Sequence, residues 1–199
     1  MKNQIREPQQ ERSIEKKNKI IQAGYELFSE VGYHGTNTVE IAKRAGVSTG
    51  IVYGYFQDKR DIMISVLQIY IDNAYTPVLD IMKNMGAELD VDTAVSQIID
   101  KTLEIHEQNA KLHNTLHSLA TTDETVNAKF IALEDNITEN ISDLLKQNGV
   151  NLPNIKERVH LAMNVVQSFA HEYVFDNHPY IDYGAMRETV RHTIVNLFK

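Results

Sequence analysis

The stretch from Thr38 to Lys59 reads TVEIAKRAGVSTGIVYGYFQDK. At its start, Asn37-x-x-Glu40 has the spacing of a capping box, which predicts that a short helix begins with Asn37 or Thr38 as its cap. Gly46 ends that helix at a turn where a positive φ is expected. Ser48 or Thr49 can then cap a second short helix. Two short helices joined by such a turn predict a helix-turn-helix unit.

The segments on both sides of this unit also have helical periodicity. Apolar residues recur on one face between Ser13 and Val31, which predicts a helix before the unit. A longer helix is expected after it, from near Asp58 to about Met85. Pro77 lies inside that helix, and proline removes a backbone hydrogen bond there. It therefore predicts a kink or a break with Thr76 as a new N-cap, or else a hinge between two halves of the chain.

The rest of the chain is helical by the same criterion. Helices are expected over 91–109 and 111–120, over a striped segment that Gly149 ends, over a segment with Pro153 in its first turn, and at the C-terminus. No alternating strand pattern is found. The sequence therefore predicts an all-α fold of about nine helices.

Charge and glycine are distributed unevenly along the 199 residues. The formal net charge is −7, which by itself argues against a nucleic-acid partner. Residues 1–70, however, hold ten Lys and Arg against eight Asp and Glu, whereas the remainder holds ten against nineteen. Six of the nine glycines also lie between residues 24 and 54. The slightly basic segment therefore contains the helix-turn-helix, and the acidic remainder is expected to have a separate role.

Some classes of function are excluded by composition. The chain has no cysteine, which excludes disulfides, thiol nucleophiles and thiolate zinc sites and fits a reducing cytoplasm. The N-terminus has no apolar signal core, and no apolar run is long enough to span a bilayer. We therefore expect a cytoplasmic protein that does not enter a membrane.

The second helix of a helix-turn-helix enters the major groove with its N-terminal residues facing base edges. In this chain those residues are Thr49, Gly50 and Ile51. Tyr53 follows them, and it is either a phosphate or sugar contact or part of the small domain's core. Lys59, at the start of the next helix, is a candidate phosphate contact.

Several short motifs between residues 16 and 66 agree with one family in order and spacing. They are Ile20-Ile21-x-Ala23, Leu27-Phe28, Gly32-Tyr33, Thr38, Ile41-Ala42, Ala45-Gly46-Val47-Ser48, Val52-Tyr53, Tyr55-Phe56 and Lys59. This segment resembles the TetR family of bacterial transcriptional repressors. The resemblance implies an N-terminal three-helix DNA-binding domain, here residues 1–57. A linking fourth helix and a larger helical domain for ligand binding and dimerisation would follow over residues 58–199.

The resemblance also implies a set of DNA-binding residues, which are Thr38, Ser48, Thr49, Gly50, Ile51, Tyr53, Tyr55 and Lys59. Two positions depart from the family pattern. Gly54 stands where many members have a larger polar or aromatic residue, and Val39 stands where some members read a base. The expected recognition surface is poor in Arg, Asn and Gln, so sequence choice should depend on phosphate positioning, methyl contacts and DNA shape.

The acidic segment contains seven of the eight histidines. His113 and His117 have the i, i+4 spacing of a metal-binding pair, but the residue after His113 is Asn, so the metalloprotease motif is absent. The alternative is that these histidines line a pocket for a small molecule. The candidate pocket residues are His113, His117, Phe130, Phe169 and Tyr173, although helical spacing favours an ordinary core for the apolar members.

The last two helices carry long apolar stripes. The family resemblance implies that two such helices from each subunit form a four-helix dimer interface. The candidate interface residues are Ile155, Val159, Val166, Met186, Val190, Ile194 and Leu197. The alternative is that the same residues form the core within one chain.

These observations predict a homodimeric transcriptional repressor that a small-molecule effector releases from a palindromic double-stranded operator. No enzymatic activity, cofactor or metal is expected. Two alternatives remain open. One is a helical metalloenzyme that uses histidines and a carboxylate, and the other is a helical sensor that no longer binds DNA.

Overall fold

The computed structural model describes residues 11–84 and 90–199, and every helix or strand that it contains in these ranges is an α-helix. The nine helices are α1 Glu11–Val31, α2 Thr38–Arg44, α3 Thr49–Tyr55, α4 Lys59–Asn84, α5 Val91–Gln108, α6 Ala110–Ala120, α7 Glu124–Gln147, α8 Ile155–Phe175 and α9 Tyr183–Leu197. The predicted all-α fold of about nine helices is confirmed.

Local sequence signals set the helix boundaries around α2. The Asn37 side chain accepts hydrogen bonds from the backbone N–H groups of Val39 and Glu40, and the Glu40 carboxylate accepts one from the Asn37 N–H. This is the predicted capping box. Gly46 has φ 68°, the left-handed conformation that glycine adopts without a steric penalty. Ser48 is the N-cap residue of α3, but its side chain makes no capping hydrogen bond.

Two predicted helix boundaries are wrong. The helix α4 continues through Pro77 as far as Asn84, so there is no break with Thr76 as a new N-cap; the predicted end at Met85 lies outside the described residues. Pro153 precedes α8 and does not lie in its first turn. Asn154 is the N-cap of that helix and has φ 56°, a left-handed conformation that asparagine tolerates better than most residues.

The described residues divide into two compact units. The first comprises the chain up to Ile71 together with Lys111–Asn127, and the second comprises Asp72–Ala110 and Ala128–Lys199. The helix α4 therefore begins in the first unit and ends in the second. This division follows packing, and the functional boundary after residue 57 stays a prediction. The part of that domain before residue 11 lies outside the described residues.

Each unit has its own apolar core. In the first unit, Ile20, Phe28, Ile41, Val52 and Ile62 are completely buried. In the second unit, α5, α8 and α9 share a cluster that includes Ile99, Val166 and Ile194, and a neighbouring cluster joins the end of α4 to α5, α7 and α8.

Candidate nucleic-acid interface

The helix α3 is held by one buried residue and exposes much of its remaining surface. Val52 is completely buried, whereas Tyr53 is 46% exposed and Val39, in the first turn of α2, is 63% exposed. Gly50 is exposed, and Thr49 and Ile51 are half-buried. The candidate base-facing residues therefore lie together on an accessible surface that α2 and α3 form.

Tyr53 and Thr38 form one polar pair on this surface. The Tyr53 hydroxyl lies 3.0 Å from the Thr38 Oγ1, and either oxygen can be the donor. Tyr53 is therefore an exposed side chain and does not belong to the core of the small domain. Because one hydroxyl keeps a free proton when the other donates, the pair can donate a hydrogen bond to a phosphate oxygen.

Tyr55 points toward α1. Its hydroxyl lies 2.7 Å from the Ser13 Oγ in a partly buried contact. This contact joins α3 to the start of α1, so Tyr55 helps to position α3. No local pattern in the sequence marks Ser13 as the partner of Tyr55, which lies 42 residues away.

Lys59 contacts the loop between α1 and α2. Its Nζ donates hydrogen bonds to the backbone carbonyls of Tyr33 and Thr36, at 2.6 and 2.8 Å, and lies 4.1 Å from the centre of the Tyr33 ring. Burial lowers the pKa of the Lys59 ammonium. Two of its three N–H donors are therefore used within the protein, and one remains for a phosphate.

The N-terminal turns of α1 carry further basic side chains beside this surface. Lys16 is exposed, Lys19 pairs with Glu15 at 2.8 Å, and Lys17 lies 5.9 Å from the Phe56 ring centre. Arg44 differs from these, because both Glu26 and Glu30 accept its hydrogen bonds. Its charge is compensated within the protein, so Arg44 is a poor candidate for a phosphate contact.

The helix α6 is bound to the rest of the first unit at both of its ends. Lys111 donates a 2.6 Å hydrogen bond to the Glu30 carbonyl near the end of α1. Just beyond the other end, Asp123 accepts two hydrogen bonds from the Arg60 guanidinium, at 2.5 and 2.8 Å. The hydrogen bonds from Arg60 lower the pKa of the Asp123 carboxyl to about 2.

The candidate pocket residues fall in both compact units. His113 is buried in the first, where its Nδ1 lies 2.5 Å from the Tyr70 hydroxyl and its ring centre lies 4.2 Å from that of the exposed His117. Phe130, Phe169 and Tyr173 belong to the second unit. Phe169 is part of its apolar core.

Two described cavities of the second unit have other linings. The first, of about 540 Å³, is lined by Pro77, Asp80, Ile81, Asn84, Gln97 and Lys101. The second, of about 470 Å³, is lined by Ser168, His171, Glu172, Asp176 and His178. The predicted pocket residues line neither cavity, so their role in ligand binding stays a prediction.

Within residues 11–84 and 90–199, no three His, Cys, Asp or Glu side chains are grouped so that they could hold a metal ion. In the same ranges, no helix is both long and apolar enough to cross a membrane.

Most of the predicted dimer-interface residues are buried within the single chain, which agrees with the alternative that they form its core. Ile155, Val159, Val166, Val190 and Ile194 are each at most 9% exposed, and Met186 and Leu197 are partly buried against the same core clusters. The physical reason is that α5 packs against both α8 and α9 and covers their apolar stripes. The role of these residues in a dimer interface stays a prediction.

Comparison with known proteins gives the same assignment for the N-terminal segment. The sequence profile of the bacterial regulatory proteins of the tetR family matches residues 20–66. Residues 20–66 form a TetR-family domain. This domain contains α2, α3 and the start of α4, and it includes all eight candidate DNA-binding residues.

Relatives of known description match this chain over less than half of its length. The HTH-type transcriptional regulator HbdR of Aromatoleum sp. (strain CIB) is 47% identical over 58 residues, which are 29% of this chain and 25% of that protein. The HTH-type transcriptional regulator BetI of Escherichia coli O45:K1 is 32% identical over 90 residues, or 44% and 46% of the two chains. The chain thus matches about a quarter of the first relative and less than half of the second.

The fold similarity extends beyond the TetR-family domain. A protein from Mesorhizobium loti MAFF303099, described as a TetR-family transcriptional regulator, superimposes with a TM-score of 0.76. The superposition covers 94% of this chain and 97% of that one, at 17% sequence identity. At this identity the similarity concerns the fold, which is an N-terminal helix-turn-helix followed by further helices.

Proposed function

We propose that this protein is a homodimeric transcriptional regulator that binds a palindromic operator and responds to a small molecule. The observation that carries the proposal is the accessible surface of α2 and α3 within a TetR-family domain. On this surface Thr49, Gly50 and Ile51 are available to base edges, and the Thr38–Tyr53 pair is available to a phosphate. We further propose that the regulator is a repressor, since the resemblance is to a family of repressors.

Two copies of the recognition helix read one operator. A dimer with two-fold symmetry presents its two α3 helices to successive major grooves, about 34–36 Å apart. The phosphate contacts set the position of each helix, and the base contacts select the sequence. Tyr55 and Lys59 support this arrangement from inside the protein, through Ser13 and through the carbonyls of Tyr33 and Thr36.

The second unit is proposed to bind the effector. Its candidate sites are the expected pocket residues that it contains, Phe130, Phe169 and Tyr173, and the cavity lined by Pro77, Asp80, Ile81, Asn84, Gln97 and Lys101. An effector that binds one conformation of the protein better than another shifts the population toward it. The continuous helix α4 joins the TetR-family domain to the second unit and is the proposed route of coupling. In this proposal the protein acts in the cytoplasm and has no enzymatic activity.

Selection of bound sequences from random double-stranded DNA tests this proposal. At moderate salt the native protein is expected to enrich a palindrome with half-sites one helical turn apart or a multiple of it. Thr49→Ala is expected to relax the preference at one base position in each half-site, because it removes a side chain that faces the groove. Asn164→Ala, at an exposed position on α8, is the control. The proposal would be rejected if the DNA bound by the native protein showed no enriched sequence.

A further inference from the structure

The centre of the outward face of α3 carries no side chain. Val52 is completely buried, and Gly50 and Gly54 each lie two residues from it, which is about 200° around the helix. Both glycines are exposed. Ile51 and Tyr53 lie on either side of these two glycines on the helix surface. The face that a helix-turn-helix places in the major groove is therefore bare backbone along its middle.

Packing within the described residues gives no reason for a glycine at residue 54. A Cβ there would meet no other atom within 4 Å, and φ lies outside the left-handed region. Gly24 is different, since a Cβ there would lie 2.7 Å from the Cγ2 of Ile62. Glycine inside a helix is less stable than alanine. Gly54 therefore lowers helix stability without relieving any steric conflict or backbone strain in the protein itself.

The side chains around this bare strip are mostly apolar. Val39 is 63% exposed, and Ile51 is half-buried. No Arg, Asn or Gln occurs between residues 49 and 55, so side-chain hydrogen bonds to bases are few. In the major groove, the apolar group that distinguishes one base from the others is the C5-methyl of thymine. The composition of the surface matches that group better than it matches the hydrogen-bonding edge of guanine.

We propose that Gly54 is a specificity-determining residue of the DNA interface, and that its missing side chain leaves room for a thymine C5-methyl group. This inference rests on the proposed DNA-binding function. A methyl group on residue 54 and a methyl group on the base compete for the same space. The proposal therefore predicts a thymine at the base position that faces Gly54 in each operator half-site.

The test removes the methyl group from the base and, separately, adds a methyl group to residue 54. The operator selected by the native protein is synthesised with deoxyuridine in place of each half-site thymine in turn, which removes only the C5-methyl. For the thymine that contacts the bare strip, the native protein is expected to bind the deoxyuridine operator about fourfold more weakly, as one methyl contact is lost. Gly54→Ala is expected to bind the thymine operator at least about tenfold more weakly and to recover on the deoxyuridine operator.

Two measurements separate this effect from damage to the fold. Gly54→Ala is expected to raise the Tm by about 2–4 °C, because alanine is the better helix former. Gly184→Ala makes the same substitution in α9, outside the TetR-family domain, and is expected to leave the ratio of the two operator affinities unchanged.

Several outcomes would overturn the inference. A selected half-site without thymine would do so, and so would a Gly54→Ala protein whose ratio of thymine to deoxyuridine affinity equals the native ratio. In the latter case, sequence selection by the native protein still supports the proposed function. Failure of the native protein to select any sequence would reject the proposed function together with this inference.

Discussion

Single residues in the TetR-family domain have structural roles as well as candidate contacts with DNA. Lys59 was expected to bind phosphate, and it also holds two backbone carbonyls of the α1–α2 loop. Tyr55 is predicted to contact DNA, and its hydroxyl forms a hydrogen bond with the Ser13 hydroxyl. Substitution of either residue therefore changes the shape of the interface, so a loss of DNA binding would not by itself identify a direct contact.

Asn37 gives a prediction at this scale. Asn37→Ala removes both hydrogen bonds that its side chain accepts at the start of α2. The free energy of unfolding is expected to fall by about 1 kcal/mol, the usual effect of losing an N-cap. Urea unfolding followed by circular dichroism measures this change. Asn164→Ala is the control, and an Asn37→Ala protein as stable as this control would contradict the assigned cap.

The helices of the first unit are joined by polar contacts between distant parts of the chain. Arg60 at the start of α4 reaches Asp123 before α7, and Lys111 of α6 reaches the end of α1. Asp123 has a second role, since its Oδ1 accepts hydrogen bonds from the backbone N–H groups of Thr125 and Val126. It therefore caps α7 and binds Arg60 at the same time.

The Arg60–Asp123 pair predicts how stability depends on pH. The pKa of Asp123 is about 2 in the folded protein, below its value of about 3.9 in the unfolded chain. Because the folded pKa is the lower one, the contribution of the pair is present above about pH 4 and is lost as the pH falls toward 2. Asp123→Asn removes the charge and keeps a side chain that can cap α7.

Urea unfolding between pH 2 and pH 7 tests this dependence. Asp123→Asn is expected to be less stable than the native protein at pH 7, with a difference that shrinks below pH 4 and disappears near pH 2. Asp182→Asn makes the same change at the N-cap of α9 and is the control. A difference that stays constant over the whole pH range would show that the ion pair does not stabilise the fold.

At the scale of the whole molecule, the net charge of −7 is the sum of a slightly basic segment and an acidic one. The residues beyond Tyr70 carry a net −9, and those up to Tyr70 carry +2. An acidic second unit repels DNA phosphates, so we expect that only the TetR-family domain engages the duplex. Non-specific DNA binding should accordingly be weak and should fall further with added salt.

The proposed dimer gives a prediction that separates core from interface. Leu161 is a large apolar residue of α8 that is 51% exposed, whereas Val166 on the same helix is buried. Leu161→Glu is expected to give a folded monomer, and Val166→Glu is expected to unfold the second unit, because it places a charge in the core. Sedimentation and circular dichroism distinguish these results.

Ile131, which is 49% exposed on α7, provides the matched control for this experiment. Ile131→Glu makes the same change at a similar exposure and is expected to remain a folded dimer. A Leu161→Glu protein that also stays dimeric would exclude Leu161 from the interface.

The sequence by itself determined the helices, the capping box, the turn at Gly46 and the helix-turn-helix. These features depend on contacts between residues a few positions apart, and local patterns record such contacts. The same patterns did not indicate the left-handed conformation of Asn154 or the continuity of α4 through Pro77. At both residues the surrounding helical structure outweighs the conformational preference of the single residue.

Only the tertiary structure decided what the side chains contact. Ser13 and Tyr55 are 42 residues apart, Tyr33 and Lys59 are 26, and Arg60 and Asp123 are 63. An apolar stripe on α8 or α9 shows that a face must be covered, but it does not identify the covering helix. In this protein α5 covers much of both stripes, and the physical reason is that burial of apolar surface is non-directional and is satisfied by whichever element packs there.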